Sequence, residues 1–221
     1  MNIAGKTVAL FPSLNPGAPL VVLNGEAGEG AAVCAAVRGM AHVDFSLALV
    51  SGLRWADDLT PWPSPPIMKG AAPFGGRADA YLGLLTEGIL PKMLDALPAL
   101  PEYIALAGYS LAGLFALYAM TRTDRFARVA SASGSLWYPD IVEYLQSHAP
   151  LRRPDCLYLS LGDREAGTRN PMMRPVEDNT RLLADHYRGA GIRTMFEMNP
   201  GGHFKDPDGR VARGIAWMLE A

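Results

Sequence analysis

At 221 residues, with 49% hydrophobic and 19% charged side chains, the chain suits a single domain that buries a substantial core without disulfides. Its formal net charge of −2 excludes the clustered basic excess that marks nucleic-acid binders. Cys34 and Cys156 lie far apart with no metal-ligand spacing and read as buried, reduced thiols. The N-terminal "MNIAGKTVALF" has no long apolar stretch ahead of a small-residue cleavage site. No apolar run approaches the roughly 18 residues of a membrane span. These features point to a cytoplasmic protein with no membrane partner.

In chain order, "KTVALF" and "PLVVLN" read as strands, and glycine, glutamate and alanine then lead into a helix near "AAVCAAVRG". "HVDFSLALV" is a third strand, with His42 inside it. Five prolines and four glycines between Ser51 and Arg77 preclude regular structure through most of the next segment. Its aromatics, Trp55, Trp62 and Phe74, suggest a lid or pocket wall over residues 51–77, or apolar anchors that fix a long loop. A helix follows from about Asp79 to Leu97, with Pro91 as a kink or break. Strand "YIALAG", the turn at Ser110 and helix "LAGLFALYAMT" come next. Strand "FARVASAS" leads through "GSLWYP" to a helix near "DIVEYLQSH". After strand "CLYLSLG", helix "VEDNTRLLADHYRGAG" is closed by Gly189 or Gly191. Strand "RTMFEMN" and helix "DPDGRVARGIAWMLEA" end the chain. This alternation predicts an α/β fold, a mainly parallel central sheet with helices on both faces, and no linker divides it.

Sites on such sheets form at the carboxyl ends of strands, where Ser110 stands. A serine there suits a helix N-cap, and it equally suits a nucleophile exposed on a sharp strand-to-helix turn. Such a turn needs little or no Cβ two residues before and after the serine. Those positions hold Gly108 and Ala112, so G-x-S-x-G is broken by one methyl group. A serine hydroxyl needs a base to become nucleophilic. Of four histidines, His42, His148 and His186 read as structural or solvated. His203, in the glycine loop "NPGGHFKDP" after the last strand, is placed to reach across the sheet edge. The group that orients the imidazole should leave the end of "CLYLSLGDREAG", where Asp163 and Glu165 both qualify. Serine, then acid, then histidine is the chain order of α/β-hydrolases.

Together "VVLNGEAG", "GYSLAGLFALYA", "SASGSLWYP", "LSLGDREA" and "NPGGHF" resemble the esterase branch of the α/β-hydrolase superfamily. That branch includes enterochelin (siderophore) esterases, feruloyl esterases and mycolyltransferases. The likeness runs from about Leu20 to the C-terminus. It implies an α/β-hydrolase fold over residues 1–221 and a serine esterase acting on a small-molecule ester, with no cofactor and no metal. In feruloyl-esterase-like members the acid stands three residues after the strand-end glycine. This matches Glu165 after Gly162 and leaves Asp163 as the alternative, while some siderophore esterases of the branch look like Ser-His dyads. The likeness also implies oxyanion donors at the backbone N–H of Leu111 and at the turn after "VVLN", at Glu26 with Gly25 beside it. Trp137, after "SAS", is expected to line the substrate pocket with Trp55, Trp62 and Phe74.

Rival readings remain. Acyl transfer would use the same groups, and a non-catalytic binding protein would use the scaffold alone. Nucleotide binding at "NGEAGEG" is disfavoured. Val33 stands where G-x-G-x-x-G needs its third glycine, and Glu26 and Glu29 would repel phosphate.

Overall fold

A computed structural model describes residues 1–221. The strands in chain order are β1 (Asn2–Ile3), β2 (Lys6–Phe11), β3 (Leu20–Asn24), β4 (Ser46–Ser51), β5 (Pro63–Ser64), β6 (Phe74–Gly75), β7 (Ile104–Tyr109), β8 (Arg128–Ala132), β9 (Cys156–Gly162) and β10 (Arg193–Asn199). Eight of them form one sheet in the order β1-β2-β4-β3-β7-β8-β9-β10. From β4 through β10 every pairing in it is parallel, and only β1 and β2 run antiparallel to their neighbours. The sheet is mainly parallel with helices on both faces, as the alternation of strands and helices implied.

Period-two alternation sorts the strand side chains between two cores. Leu20 and Val22 of β3 face a cluster of 39 buried residues, whereas Val21 and Leu23 face one of 20. Helices α1 (Glu29–Arg38) and α8 (Pro207–Glu220) cover the smaller cluster, which also holds both cysteines. The larger cluster is covered by α3 (Ala78–Gly83), α4 (Leu90–Asp95), α5 (Leu111–Met120), α6 (Ile141–Ser147) and α7 (Val176–Gly189). Strand β3 is buried throughout because helices cap both faces, which is why it reads as a continuous apolar run. No helix is long and apolar enough to cross a membrane.

The structure differs from the sequence reading in two places. Between α3 and α4 the chain makes a π-helical turn, Leu84–Ile89, directly before Pro91. Proline offers no N–H to the helix ladder, and the wider turn carries the chain past it without breaking the helical run. His42 lies outside β4, exposed, with its backbone N–H donating to Glu220. Residues 51–77 are irregular through most of their length, as read, with α2 (Trp55–Asp58) and the antiparallel pair β5-β6 as short regular pieces. This segment is tied down along its length. Arg77 N–H donates to Asp57 O at 2.8 Å, Trp62 Nε1 to Pro139 O at 3.1 Å and Asn170 Nδ2 to Ile67 O at 2.6 Å.

Its start is held by a buried ion pair, Lys6 of β2 with Asp58 of α2, whose side chains are 9% and 4% exposed. Asp58 also accepts the backbone N–H of Arg54 at 2.8 Å. Burial opposes ionisation of Asp58, but the Lys6 and Arg54 contacts outweigh it and hold the carboxyl below the usual range. Removing one partner strands the other charge. Lys6→Met is therefore expected to lower unfolding stability by about 3 kcal/mol in denaturant titrations, and Lys6→Met with Asp58→Leu to recover most of that loss. A double variant no more stable than the single one would contradict this account.

Candidate active site

Strand β3 lies between β4 and β7, and the chain leaves β3 for α1 over the smaller core but β7 for α5 over the larger one. A crevice opens at such a switch point beyond the strand ends. Gly25 follows the end of β3 and Ser110 the end of β7. Ser110 has φ 56° and ψ −121°, a region an L-residue occupies only when its surroundings force it there. Its N–H donates to Ala132 O at 3.1 Å, and its carbonyl accepts the N–H of Ser135 at 3.0 Å. A Cβ on Gly108 would collide with the backbone of Ala112, so the turn closes only with glycine there. The other close approach falls at Gly113, where a Cβ would lie 2.8 Å from Ser131 Oγ. Ala112 is tolerated because its methyl points into the larger core.

Ser110 Oγ lies 3.0 Å from His203 Nε2, and His203 Nδ1 lies 2.7 Å from Glu165 Oε2. The two carboxyl candidates part here. Asp163 is more than half exposed, and its Oδ1 accepts the N–H of Gly201 at 2.7 Å, bracing the loop that carries His203. The Glu165 side chain is 5% exposed, and its Oε1 accepts the N–H of Gly162 at 2.7 Å. Burial pushes the Glu165 carboxyl up, but hydrogen bonds from His203 and Gly162 and the attraction of a charged imidazole outweigh it. The carboxyl is held below the usual glutamate range.

On the opposite side of the crevice, Leu111 is the first residue of α5, so its N–H has no partner within the helix. The Gly25 N–H donates to Val50 O at 3.1 Å. The Glu26 N–H donates to Glu29 Oε2 at 2.8 Å, a local cap on the start of α1.

Of the aromatic candidates, only Trp137 lines the cleft at His203, a space of about 240 Å³ shared with Met173, Val176 and Arg164. Trp62 packs against Tyr118, Tyr138 and Tyr144, with ring centroids 5.3 to 6.5 Å away. Phe74 packs on Trp137 and Tyr138. Both are anchors of the long segment rather than walls of this cleft. Trp55 borders a separate small chamber with Asn24, Gly25, Glu29 and Tyr109. His148 stacks on Tyr144, and His186 lies against Tyr187, both away from Ser110. No group of three or more His, Cys, Asp or Glu side chains is placed to hold a metal ion.

Two neighbours of the site escaped the sequence reading. Ser135 Oγ lies 3.3 Å from Ser110 Oγ. Arg210 of α8 is fully buried and pairs with Glu165 Oε1 at 2.7 Å. Its position carries a signal, since it falls in register with Gly214 and Met218 on the inward stripe of α8. An arginine on such a stripe requires a buried anion.

The family model described as Putative esterase matches residues 56–188. The uncharacterized protein YbbA of Bacillus subtilis (strain 168) is 26% identical over 141 residues, 62% of this chain. The match spans 56% of that protein, little more than half its length. Among solved structures, the siderophore hydrolase EstA of Aspergillus nidulans superposes with a TM-score of 0.72 at 18% identity, over 98% of this chain and 94% of that one. An IroE-like serine hydrolase of Shewanella oneidensis gives 0.82 at 15% identity, over 97% and 76%. The enterobactin esterase FES of Shigella flexneri gives 0.69 at 21%, over 97% and 55%. At these identities the likeness shows a shared fold.

Because the Glu165 carboxyl is depressed, the stability it contributes is complete above the ordinary glutamate value of about 4.3 and is lost as pH falls through its lower folded value. Glu165→Gln should therefore melt below wild type at pH 7, with the gap closing below about pH 4. Asp163→Asn should lower the melting temperature less, since the site is exposed and an amide oxygen can still accept the Gly201 N–H. A Glu165→Gln gap that stays constant from pH 7 to pH 3 would contradict the assignment of that ionisation.

Proposed function

The chain belongs to the Putative esterase family, and on that premise we propose that it is a serine hydrolase cleaving carboxylic esters through an acyl-enzyme on Ser110. The observation that carries this reading is the unbroken relay from Ser110 Oγ through both ring nitrogens of His203 to Glu165, at 3.0 and 2.7 Å. The strained φ of the serine supports it, because such strain persists where it serves to present a group.

In the proposed reaction His203 Nε2 takes the proton of Ser110 as Oγ attacks the ester carbonyl. Glu165, accepting from Nδ1, holds the ring in orientation and stabilises it while charged. The carbonyl oxygen becomes an oxyanion facing the N–H of Leu111. The second donor is the N–H of Glu26, which must first exchange its bond to Glu29 for one to the oxyanion. His203 then protonates the departing alcohol, leaving Ser110 acylated. Water, deprotonated by the same imidazole, attacks the acyl group and releases the acid with Ser110 restored. These steps use only groups of this chain.

Water can reach the imidazole, since the His203 side chain is 21% exposed, and acyl transfer to an alcohol would use the same groups. The cleft's apolar lining of Trp137, Met173 and Val176 suits an aromatic or branched group on the ester. Two of the structural neighbours are described as a siderophore hydrolase and an enterobactin esterase, so ester-bearing siderophores belong in the substrate panel.

Ser110→Ala and His203→Ala are each expected to lower turnover of p-nitrophenyl esters by roughly 10³ or more with folding intact. A fluorophosphonate probe should label Ser110 and no other serine. A His203→Ala enzyme that keeps most of its rate would sink the mechanism. Trp137→Ala should raise KM for aryl acyl esters more than for acetates. Trp62→Ala should leave that ratio unchanged, because its ring contacts the α5–α6 region and not the cleft. A change in the ratio with Trp62→Ala alone would return that residue to the substrate site.

A further inference from the structure

The guanidinium of Arg210 is fully buried and touches every segment of the relay except the serine itself. Nη1 donates to Glu165 Oε1 at 2.7 Å, to Ser133 Oγ at 2.9 Å and to the Tyr109 hydroxyl at 3.4 Å. Nη2 donates to the carbonyls of Pro200 and Gly202 at 3.2 and 3.0 Å. Tyr109 in turn donates its hydroxyl to the carbonyl of His203. The end of β7, the end of β8, the acid loop and the histidine loop thus converge on one side chain from α8. Room for it is reserved by Gly162, where a Cβ would lie 2.8 Å from both terminal nitrogens.

From this geometry we infer that Arg210 is a positioning residue for the Glu165–His203 pair, acting in two separable ways. Its planar fork clamps the carboxylate and the histidine loop in one orientation, which a lysine cannot reproduce. Its charge keeps the buried carboxylate ionised, and shares that negative charge so that the imidazole is not over-stabilised when it becomes protonated. The second effect sets the lower pH limit of the reaction. The inference rests on the esterase reading for its kinetic part only.

Other charges facing the pair are weaker candidates. Asp163 and Arg164, on the acid's own loop, are more than half exposed and therefore screened. Lys205 beside Gly201 is exposed, and burial pushes the Tyr109 phenol up, so it stays neutral. Besides His203, Arg210 is the one charged group in contact with the carboxylate.

The test compares wild type, Arg210→Met, Arg210→Lys and Ser110→Ala by three readings. These are melting temperature, kcat against pH for a p-nitrophenyl ester, and the carboxyl ¹³C titration of Glu165 in glutamate-labelled protein. Arg210→Met should move the acid limb of kcat upward by about one pH unit and raise the Glu165 titration midpoint. It should also lower kcat on the order of 10²-fold with little change in KM. Arg210→Lys should keep the acid limb near wild type while kcat falls about tenfold, because charge returns without the fork. If Arg210→Met does not fold, Arg210→Lys decides alone, and a wild-type kcat in it overturns the positioning role. Lowered melting temperatures with unchanged kcat, acid limb and Glu165 titration would make Arg210 a structural residue only. Ester turnover persisting in Ser110→Ala would instead overturn the esterase reading, and the Glu165 titration would still judge Arg210.

Discussion

One carboxylate organises the crevice of this protein. Glu165 is buried, and its two oxygens serve different partners, Oε2 accepting from His203 and Oε1 from Gly162 and Arg210. A charge removed from water persists only where every lone pair meets a donor or a cation. That demand explains the absence of a side chain at Gly162, the depth of Arg210 in α8 and the course of the loop carrying His203. The loop itself is shaped by Asp163, whose carboxylate takes the Gly201 N–H. Two acids two residues apart therefore do different work, one facing inward to the imidazole and one outward to a backbone turn.

The opposite wall of the crevice is set by backbone rather than charge. Ser110 is held at positive φ between β7 and α5, with Gly108 giving way to the start of the helix and Gly113 giving way to Ser131 below it. The requirement for a missing side chain thus falls at 113 rather than at 112. At the end of β3 the N–H of Glu26 is capped by Glu29, so the free crevice is not fully preorganised for an oxyanion on that side. The glycines of "NGEAGEG" shape this cap and the close packing of α1, where Gly30 lies against Phe11 and Leu49.

The long segment between β4 and α3 shows how a proline-rich stretch is fixed with little regular structure. Lys6 and Asp58 hold its start, Trp62 nests among three tyrosines in its middle, and Asn170 holds Ile67 further on. Its aromatics contribute burial and edge-to-face packing where a longer hairpin would otherwise be needed. The segment borders the acid loop through Asn170 while leaving the His203 cleft to Trp137.

Local patterns alone identified the α/β alternation, the strand ends bearing Ser110 and Glu165, and the glycine loop bearing His203. These features are legible because side-chain period and turn chemistry are properties of short segments. The preference for Glu165 over Asp163 came from family likeness, since both leave the same strand end and spacing cannot say which way a side chain turns. What only the tertiary structure decided concerns contacts between distant segments. Arg210 lies 45 residues from Glu165, and nothing within α8 names its partner. Trp62 and Phe74 looked like pocket walls because an aromatic in a loop carries no record of what it packs against. The sequence offers the N–H of Glu26, with Gly25 beside it, but only the fold shows that Glu29 and Val50 already accept from them. A residue's type and neighbours in sequence determine what it can offer, and only the folded chain determines what is already taken.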